Sequence, residues 1–325
     1  MSIQQRAVVL TDEKRNHAIV RQLRESLGKI GLNQVLCTLS PVDISNVVYA
    51  SQLPILFIDH DPKFQDGMRL FERIARMPGN QLLQCVLIVS NDEKGFTRSH
   101  KSLGFAGVVH KPVQHLEVAD VVKPLLFKND DINLKHAHGY ALSFLKKDFK
   151  AAEDELLALK KEVRFKRKLD LARIHLSHAQ GLGSQVMTIF DSLMKTEKVD
   201  LCMLSEYAFF LRKFSIYEQC LAVFAKIREQ FPNWQGKVWE EILFLGELEK
   251  LDEIAVLAET QKGDDATVLL ARLMYCMGLE QKVGELLASN SEANAAFQEL
   301  MLKQEKQAQG NPAPTAEKAA AVVAP

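Results

Sequence analysis

Over the first 125 residues, short apolar runs alternate with longer amphipathic stretches. The runs occupy residues 7–10, 34–37, 55–58, 86–89 and 107–109. Continuous apolar runs of this length, rich in Val and Ile, predict strands covered on both faces of a parallel sheet. The intervening stretches, among them 16–27, 67–75 and 113–126, carry apolar residues at helical spacing. Five strands alternating with five helices predict an open α/β sheet with right-handed crossovers. The chemistry of such a sheet lies beyond the carboxyl ends of its strands.

After residues 128–131 the strand-like runs stop and helical periodicity takes over. A repeat emerges with a period of 34 residues. Ala152, Val186 and Cys220 are in register, as are Leu156, Phe190 and Phe224, then Leu159, Leu193 and Ile227, then Leu142, Leu176, Phe210 and Phe244. That period predicts paired helices stacked into an all-α solenoid of about five units. The fourth centres on Phe244 and Ile254, and the fifth covers 266–288. The expected organisation is an α/β domain over 1–127, a linker at 128–134, a helical repeat domain over 135–302 and a disordered tail over 303–325. The tail is rich in Gln, Ala and Pro and poor in core residues.

Composition narrows the class. Apolar residues make up 47% of the chain and charged residues 25%, so most of it can bury a core. The formal net charge is zero, the first 125 residues leaning basic and the remainder acidic. Neither part has the basic excess of a dedicated nucleic-acid binder. The basic run at 160–168 falls between the first and second repeat units, where a solvated turn is expected. The five cysteines are far apart, form no C-x-x-C pair and lie in apolar runs, as buried thiols of a reducing compartment do. The apolar run near the N-terminus is too short for a signal peptide, and no stretch approaches the roughly 20 apolar residues that span a bilayer. A cytoplasmic protein without membrane insertion is the expectation.

Four strand ends carry polar residues: Thr11-Asp12-Glu13, Asp59-His60-Asp61, Ser90 and Lys111-Pro112. Carboxylates from two strand ends can hold Mg²⁺, a cation that takes oxygen ligands and keeps several waters. A carboxylate beside that cation can attack a phosphoryl group. A hydroxyl and an ammonium nearby would bind the phosphoryl oxygens.

In order and spacing these residues resemble the receiver family of bacterial two-component response regulators, with its flavodoxin-like five-stranded parallel sheet. The segment 19–28 matches the first helix of that family and sets the register. The resemblance implies that Asp59 is the phosphoacceptor, that Ser90 and Lys111 assist it, and that Mg²⁺ is held by Asp12, Asp59 and the backbone carbonyl of Asp61. Asp66-Gly67 takes the place of the Asp-Gly that opens a helix, and the bond before Pro112 is expected to be cis. Two positions depart from the pattern. Thr11 stands where the family usually has a second acid, and Val108 where it often has Tyr or Phe.

The helical part resembles tetratricopeptide (TPR) repeats, most clearly over 171–193 and 204–227. The resemblance implies a concave surface that binds peptides or partner helices, with Arg173, Tyr207 and Arg212 as candidate exposed contacts. His175 and His178 share a helix face without a carboxylate or Cys in sequence to complete a metal site. His136 and His138 should point to different sides of a helix. Gly181-Leu-Gly183 reads as a turn between helices.

These readings imply a response regulator, not an enzyme beyond its own phosphorylation and dephosphorylation. A histidine kinase or phosphotransfer protein would modify Asp59, and the TPR domain would signal by binding a protein partner. A constitutive scaffold with a degenerate receiver, and a phosphate sink draining a kinase, are the alternatives. Both domain types can form homodimers.

Overall fold

The computed structural model describes residues 5–49, 53–61, 67–90, 100–127, 131–159, 165–195, 199–231, 235–248 and most of the helical positions from 250 to 310. Its first part is a five-stranded, wholly parallel sheet. The strands are β1 (Ala7–Leu10), β2 (Val35–Thr38), β3 (Ile55–Asp59), β4 (Gln84–Ser90) and β5 (Gly107–Lys111), in the order β2-β1-β3-β4-β5. β1, β3 and β4 are buried almost throughout because neighbours flank them on both edges and helices cover both faces. β2 lies at an edge and is only partly covered. The expected alternation of apolar runs is therefore realised as the doubly wound α/β arrangement.

Among the described residues four α-helices accompany the sheet: α1 (His17–Lys29), α2 (Pro41–Tyr49), α3 (Gly67–Arg76) and α4 (His115–Val122). Leu23 and Leu27 of α1 and Val118 and Val122 of α4 pack on the Ala7, Val9, Phe57, Val86, Ile88 and Val109 face. Alternate strand residues point the other way. There α3 meets the sheet so closely that a Cβ on Gly67 would stand 3.1 Å from Leu87 Cδ1. The helix expected between β4 and β5 falls on 91–99, outside the described residues.

The helical part consists of hairpins. α5 (Ile132–Leu145) pairs with α6 (Phe149–Ala158), α7 (Lys166–Ala179) with α8 (Gly183–Met194), and α9 (Leu201–Lys213) precedes α10 (Tyr217–Gln230). The second helices open at Phe149, Gly183 and Tyr217, so the 34-residue period of the sequence is the period of the hairpins. Ala152, Val186 and Cys220 each stand fourth in their helix and are buried. Phe190, Phe210, Phe224 and Phe244 are buried, whereas Leu142 and Leu193 are only half-buried. Asp148 caps α6 by accepting from the Ala151 N–H at 3.1 Å. α11 (Gln235–Glu247), α12 (Glu280–Ala288) and α13 (Ser291–Gly310) complete the series.

Two boundaries differ from the sequence-based expectation. α5 starts at Ile132, inside the stretch expected as a linker, because the Asp131 carboxylate accepts from the Asn133 N–H and caps it. α13 runs to Gly310, past residue 303, because Lys, Gln, Glu and Ala sustain a helix until Gly310-Asn311-Pro312. Residues 311–325 lie outside the described residues.

The chain divides into two compact units, Met1–Phe210 and Leu211–Pro325. The first contains the α/β segment together with two helical hairpins and most of α9. Within it, polar contacts join the two kinds of structure. Tyr140 Oη donates to Gln81 Oε1 at 2.8 Å, and His138 Nε2 meets the Val48 carbonyl at 2.9 Å. The Cys202 N–H donates to the Ser102 carbonyl at 3.0 Å, and Phe127 stacks on Phe165 at 5.5 Å. Gly79, at φ +78°, lies so close to α5 that a Cβ would meet the Ala141 carbonyl oxygen at 2.7 Å. In the second unit Ile242, Leu245, Ile254, Ala271, Val283 and Phe297 share one core. Among the described residues no helix is long and apolar enough to cross a membrane.

Candidate functional site

The carboxyl ends of β1, β3, β4 and β5 meet around Asp59. The register sets Leu10 beside Ile58, Asp59 beside Ile88 and Ser90 beside Lys111. Residues just past β1 and at the end of β5 thus converge on the end of β3. Asp59 is 2% exposed. A carboxylate this deeply buried needs charge or hydrogen-bond partners to remain ionised.

Those partners are present. Lys111 Nζ lies 2.6 Å from Asp59 Oδ1 and donates to the His60 carbonyl at 3.1 Å. The peptide bond from Lys111 to Pro112 is cis, as the sequence resemblance implied. On the β1 side, Thr11 Oγ1 donates to Asp59 Oδ2 at 2.7 Å. Asn16 Nδ2 donates to the same oxygen at 2.9 Å and to Thr11 Oγ1 at 2.8 Å. One carboxylate oxygen therefore faces an ammonium and the other faces two neutral donors. The Asp59 carboxylate and the Lys111 ammonium thus form a close ion pair, and Ser90 ends the neighbouring strand beside Lys111.

Sequence reasoning passed over Asn16. It stands at the N-cap position of α1 yet makes no side-chain cap bond. Its amide turns to Asp59 instead. The signal available in the sequence was an Asn at a helix start, five residues beyond Thr11, whose obvious local role is capping.

Asp12 lies at the end of β1, part-exposed, and its Oδ1 accepts from the Lys14 and Arg15 N–H groups at 3.0 and 3.4 Å. Asp61 follows β3, also part-exposed. Two carboxylates at adjacent strand ends suit Mg²⁺, which is commonly held by one or two carboxylates and keeps its waters. The donor chemistry fits that cation, with one qualification in the geometry. Asp59 Oδ2, the oxygen on the Asp12 side, already carries the Thr11 and Asn16 hydrogen bonds. Among the described residues no cluster of three or more His, Cys, Asp or Glu offers a ready-made metal cage.

The site is braced from outside. The Gly67 N–H donates to His60 Nδ1 at 3.1 Å, fixing α3 to the end of β3. His110 Nδ1 lies 2.5 Å from Glu117 Oε1, and the His110 N–H donates to Glu117 Oε2 at 3.1 Å, tying β5 to α4. Val108 is buried in β5, where a β-branched side chain suits a strand and lacks an aromatic ring to rotate. Asp66 lies outside the described residues.

The other predicted positions scatter. His136 faces Glu155 at 2.5 Å while His138 turns to Val48, so the two do point apart. Burial lowers the His138 pKa, and its bond to the Val48 carbonyl only partly offsets that. His175 and His178 both stand edge-on to Phe210. Tyr207 is buried rather than exposed: it stacks on Phe190 at 4.6 Å, and only its hydroxyl, 3.4 Å from Asp191 Oδ1, reaches outward. Its aromatic area is better satisfied in the core than in a groove. Arg173 stays half-exposed beside Asp170, and Arg212 is exposed and pairs with Glu247.

A second charged cluster escaped sequence reasoning altogether. Glu206 of α9 is 1% exposed and accepts from Arg76 Nε of α3 at 2.7 Å. His175 Nε2 of α7 lies 3.1 Å from its other oxygen, and the Arg76 guanidinium stacks on Phe209 at 4.2 Å. Burial pushes the Glu206 carboxyl upward, but His175 and Arg76 outweigh it and hold the pKa below the ordinary value.

Comparison with family models returns no match, and neither does comparison with curated proteins. Among solved structures the chain is similar to the N-terminal signal receiver domain of a two-component system response regulator from Bacteroides fragilis. The identity is 18% and the TM-score 0.32, over 38% of this chain and 98% of that one.

Proposed function

We propose that this protein is a response regulator of the receiver type, which takes a phosphoryl group on Asp59 and passes its state to a helical repeat segment that binds a protein partner. The observation that carries the reading is the buried Asp59 carboxylate with the Lys111 ammonium 2.6 Å away at the convergence of four strand ends. An Asp59 oxygen attacks the donor phosphorus. The bond from phosphorus to the donor breaks, and the leaving group departs with its electron pair and takes a proton from solvent. Lys111 offsets the charge gained at Asp59, and the Ser90 hydroxyl meets a phosphoryl oxygen. Asp12, Asp59 and the Asp61 carbonyl would hold Mg²⁺, which when bound supplies charge compensation to carboxylate and phosphoryl oxygens. The donor protein in the cell is a histidine kinase or a phosphotransfer protein.

The helical hairpins, with their 34-residue period and register of small and aromatic core positions, serve as a TPR-like binding surface. Because the α/β segment and the first hairpins form one compact unit, the signal passes through packed contacts rather than across a flexible linker.

A second reading has its own observation. Thr11 and Asn16 give Asp59 Oδ2 two hydrogen bonds from the protein itself. A receiver stabilised in this way can act as a constitutive scaffold. Intact-mass measurement after incubation with acetyl phosphate and Mg²⁺ separates the two. The first reading requires one labile phosphoryl adduct on the wild type and none on Asp59→Ala. Unmodified wild type, with a known receiver labelled in parallel, favours the scaffold.

A further inference from the structure

A cavity of about 420 Å³ lies within the first compact unit, between the α/β segment and the helices packed on it. α3, the start of β4, the turn before β5, α7 and the start of α9 enclose it. Its size is that of small-molecule sites, which run from roughly 300 to 1,000 Å³ and combine an apolar wall with a few placed polar groups. Phe71 and Phe105, their centroids 4.5 Å apart, form an aromatic wall that Leu83 and Leu171 extend.

Among the described residues, one polar group in this wall lacks any hydrogen-bond partner, and a second lacks an opposite charge. Asn80 is 2% exposed, and neither its side-chain oxygen nor its nitrogen has a hydrogen-bond partner. An unsatisfied buried amide costs roughly 1–3 kcal/mol, and such groups are rare in folded proteins. Lys168 Nζ donates to the Leu83 carbonyl and lies 5.9 Å from the centre of the Phe71 ring. Among the described residues no carboxylate pairs with it. Lys101 and Asp200 also line the cavity, and neither is without a partner elsewhere. The Lys168 ammonium and the Asn80 amide thus combine a cation with a neutral donor and acceptor beside an aromatic wall.

We propose that this cavity is a binding site for a small organic anion with an aromatic or similarly apolar body, its anionic head on Lys168 and Asn80. The site is separate from Asp59. Gln84 and Cys85 open β4 while Ser90 closes it, and at about 3.3 Å per residue the two ends stand roughly 20 Å apart. Occupancy would stiffen the joint between α3, the turn before β5 and α9. A metabolite would thereby act on the signalling unit without touching the phosphoacceptor.

The test uses the full-length protein and two probes, 2-naphthoate and the uncharged 2-naphthylmethanol, titrated by calorimetry. Naphthoate binds saturably with one-to-one stoichiometry and at least about tenfold more tightly than the alcohol. Lys168→Met removes that preference and leaves alcohol binding in place, with Lys168→Gln as the substitute if the first variant does not fold. Ala106→Phe fills the cavity and abolishes both. Asn80→Leu weakens naphthoate binding and raises the melting temperature of the ligand-free protein, since it removes an unsatisfied amide. The proposal is overturned if folded wild type shows no saturable binding of naphthoate. It is equally overturned if Lys168→Met binds naphthoate as wild type does, or if Asn80→Leu lowers the melting temperature.

Discussion

Replacing Glu206 by Gln removes one negative charge from the joint between the α/β segment and the helices while keeping the shape of the side chain. Glu206 accepts from Arg76 at 2.7 Å and faces His175 at 3.1 Å from a position that is 1% exposed. Hydrogen bonds to charged groups contribute about 1.5–3 kcal/mol each, and the amide retains one acceptor oxygen for Arg76. Arg76 also keeps Phe209 beneath it at 4.2 Å and the Glu72 carboxylate at 3.9 Å. The expected loss is therefore about 2 kcal/mol, below the roughly 3–5 kcal/mol of breaking a fully buried pair. Thermal unfolding followed by circular dichroism reads it. At about 2–4 °C per kcal/mol for a unit of this size, the melting temperature falls by roughly 4–8 °C at neutral pH. The pH dependence has a definite sign. The folded carboxyl titrates below its ordinary value, so its contribution is complete above about pH 5 and is lost as pH falls through the folded pKa. The gap between wild type and variant therefore narrows on acidification. A variant that melts within about 1 °C of wild type at neutral pH, or a gap that widens in acid, refutes the argument that this cluster holds the joint.

Further outcomes follow from the same contacts. Gly79→Ala places a Cβ 2.7 Å from the Ala141 carbonyl at a positive φ, and urea unfolding should show a loss of about 2 kcal/mol or more. Tyr140→Phe deprives Gln81 of the hydroxyl at 2.8 Å inside a fully buried contact, for a loss of about 1–2 kcal/mol in the same assay. Thr11→Val strips one donor from Asp59 Oδ2, so that oxygen gains more from a cation. Mg²⁺ titration followed by amide shifts should show binding tightened by about tenfold, equivalent to one such hydrogen bond.

The sheet was legible because its strands are covered on both faces and read as unbroken apolar runs, as in Val86–Val89. β2, at an edge, was placed one residue early, and β4 reaches beyond its apolar run to Gln84 and Ser90, polar residues that no apolar run marks. The hairpin period was legible because buried positions recur every 34 residues, as at Ala152, Val186 and Cys220. The site residues past each strand could be named because the fold brings strand ends together. Their hydrogen bonds could not be read. Thr11 looked like a missing acid, and only the geometry shows it joined by Asn16 in donating to Asp59. Nothing local marks Arg76 and Glu206 as partners, since they are 130 positions apart and each sits on a helix face that could equally meet solvent. Tyr207 was expected on a surface from its place in the first helix of a repeat unit, and its ring proved to belong to the core. The fusion of the α/β segment with the first hairpins was likewise hidden, because Tyr140, His138 and Lys168 carry no sequence signature of the surfaces they reach.

The most direct test of the central claim locates the modified atom. Protein incubated with acetyl phosphate and Mg²⁺ is treated with borohydride, which reduces an aspartyl phosphate to homoserine, and its peptides are then sequenced by mass spectrometry. The account predicts homoserine at position 59 and nowhere else, dependent on the phosphodonor and lost in Lys111→Ala. Unreduced Asp59 in folded protein, or homoserine at another carboxylate, contradicts it.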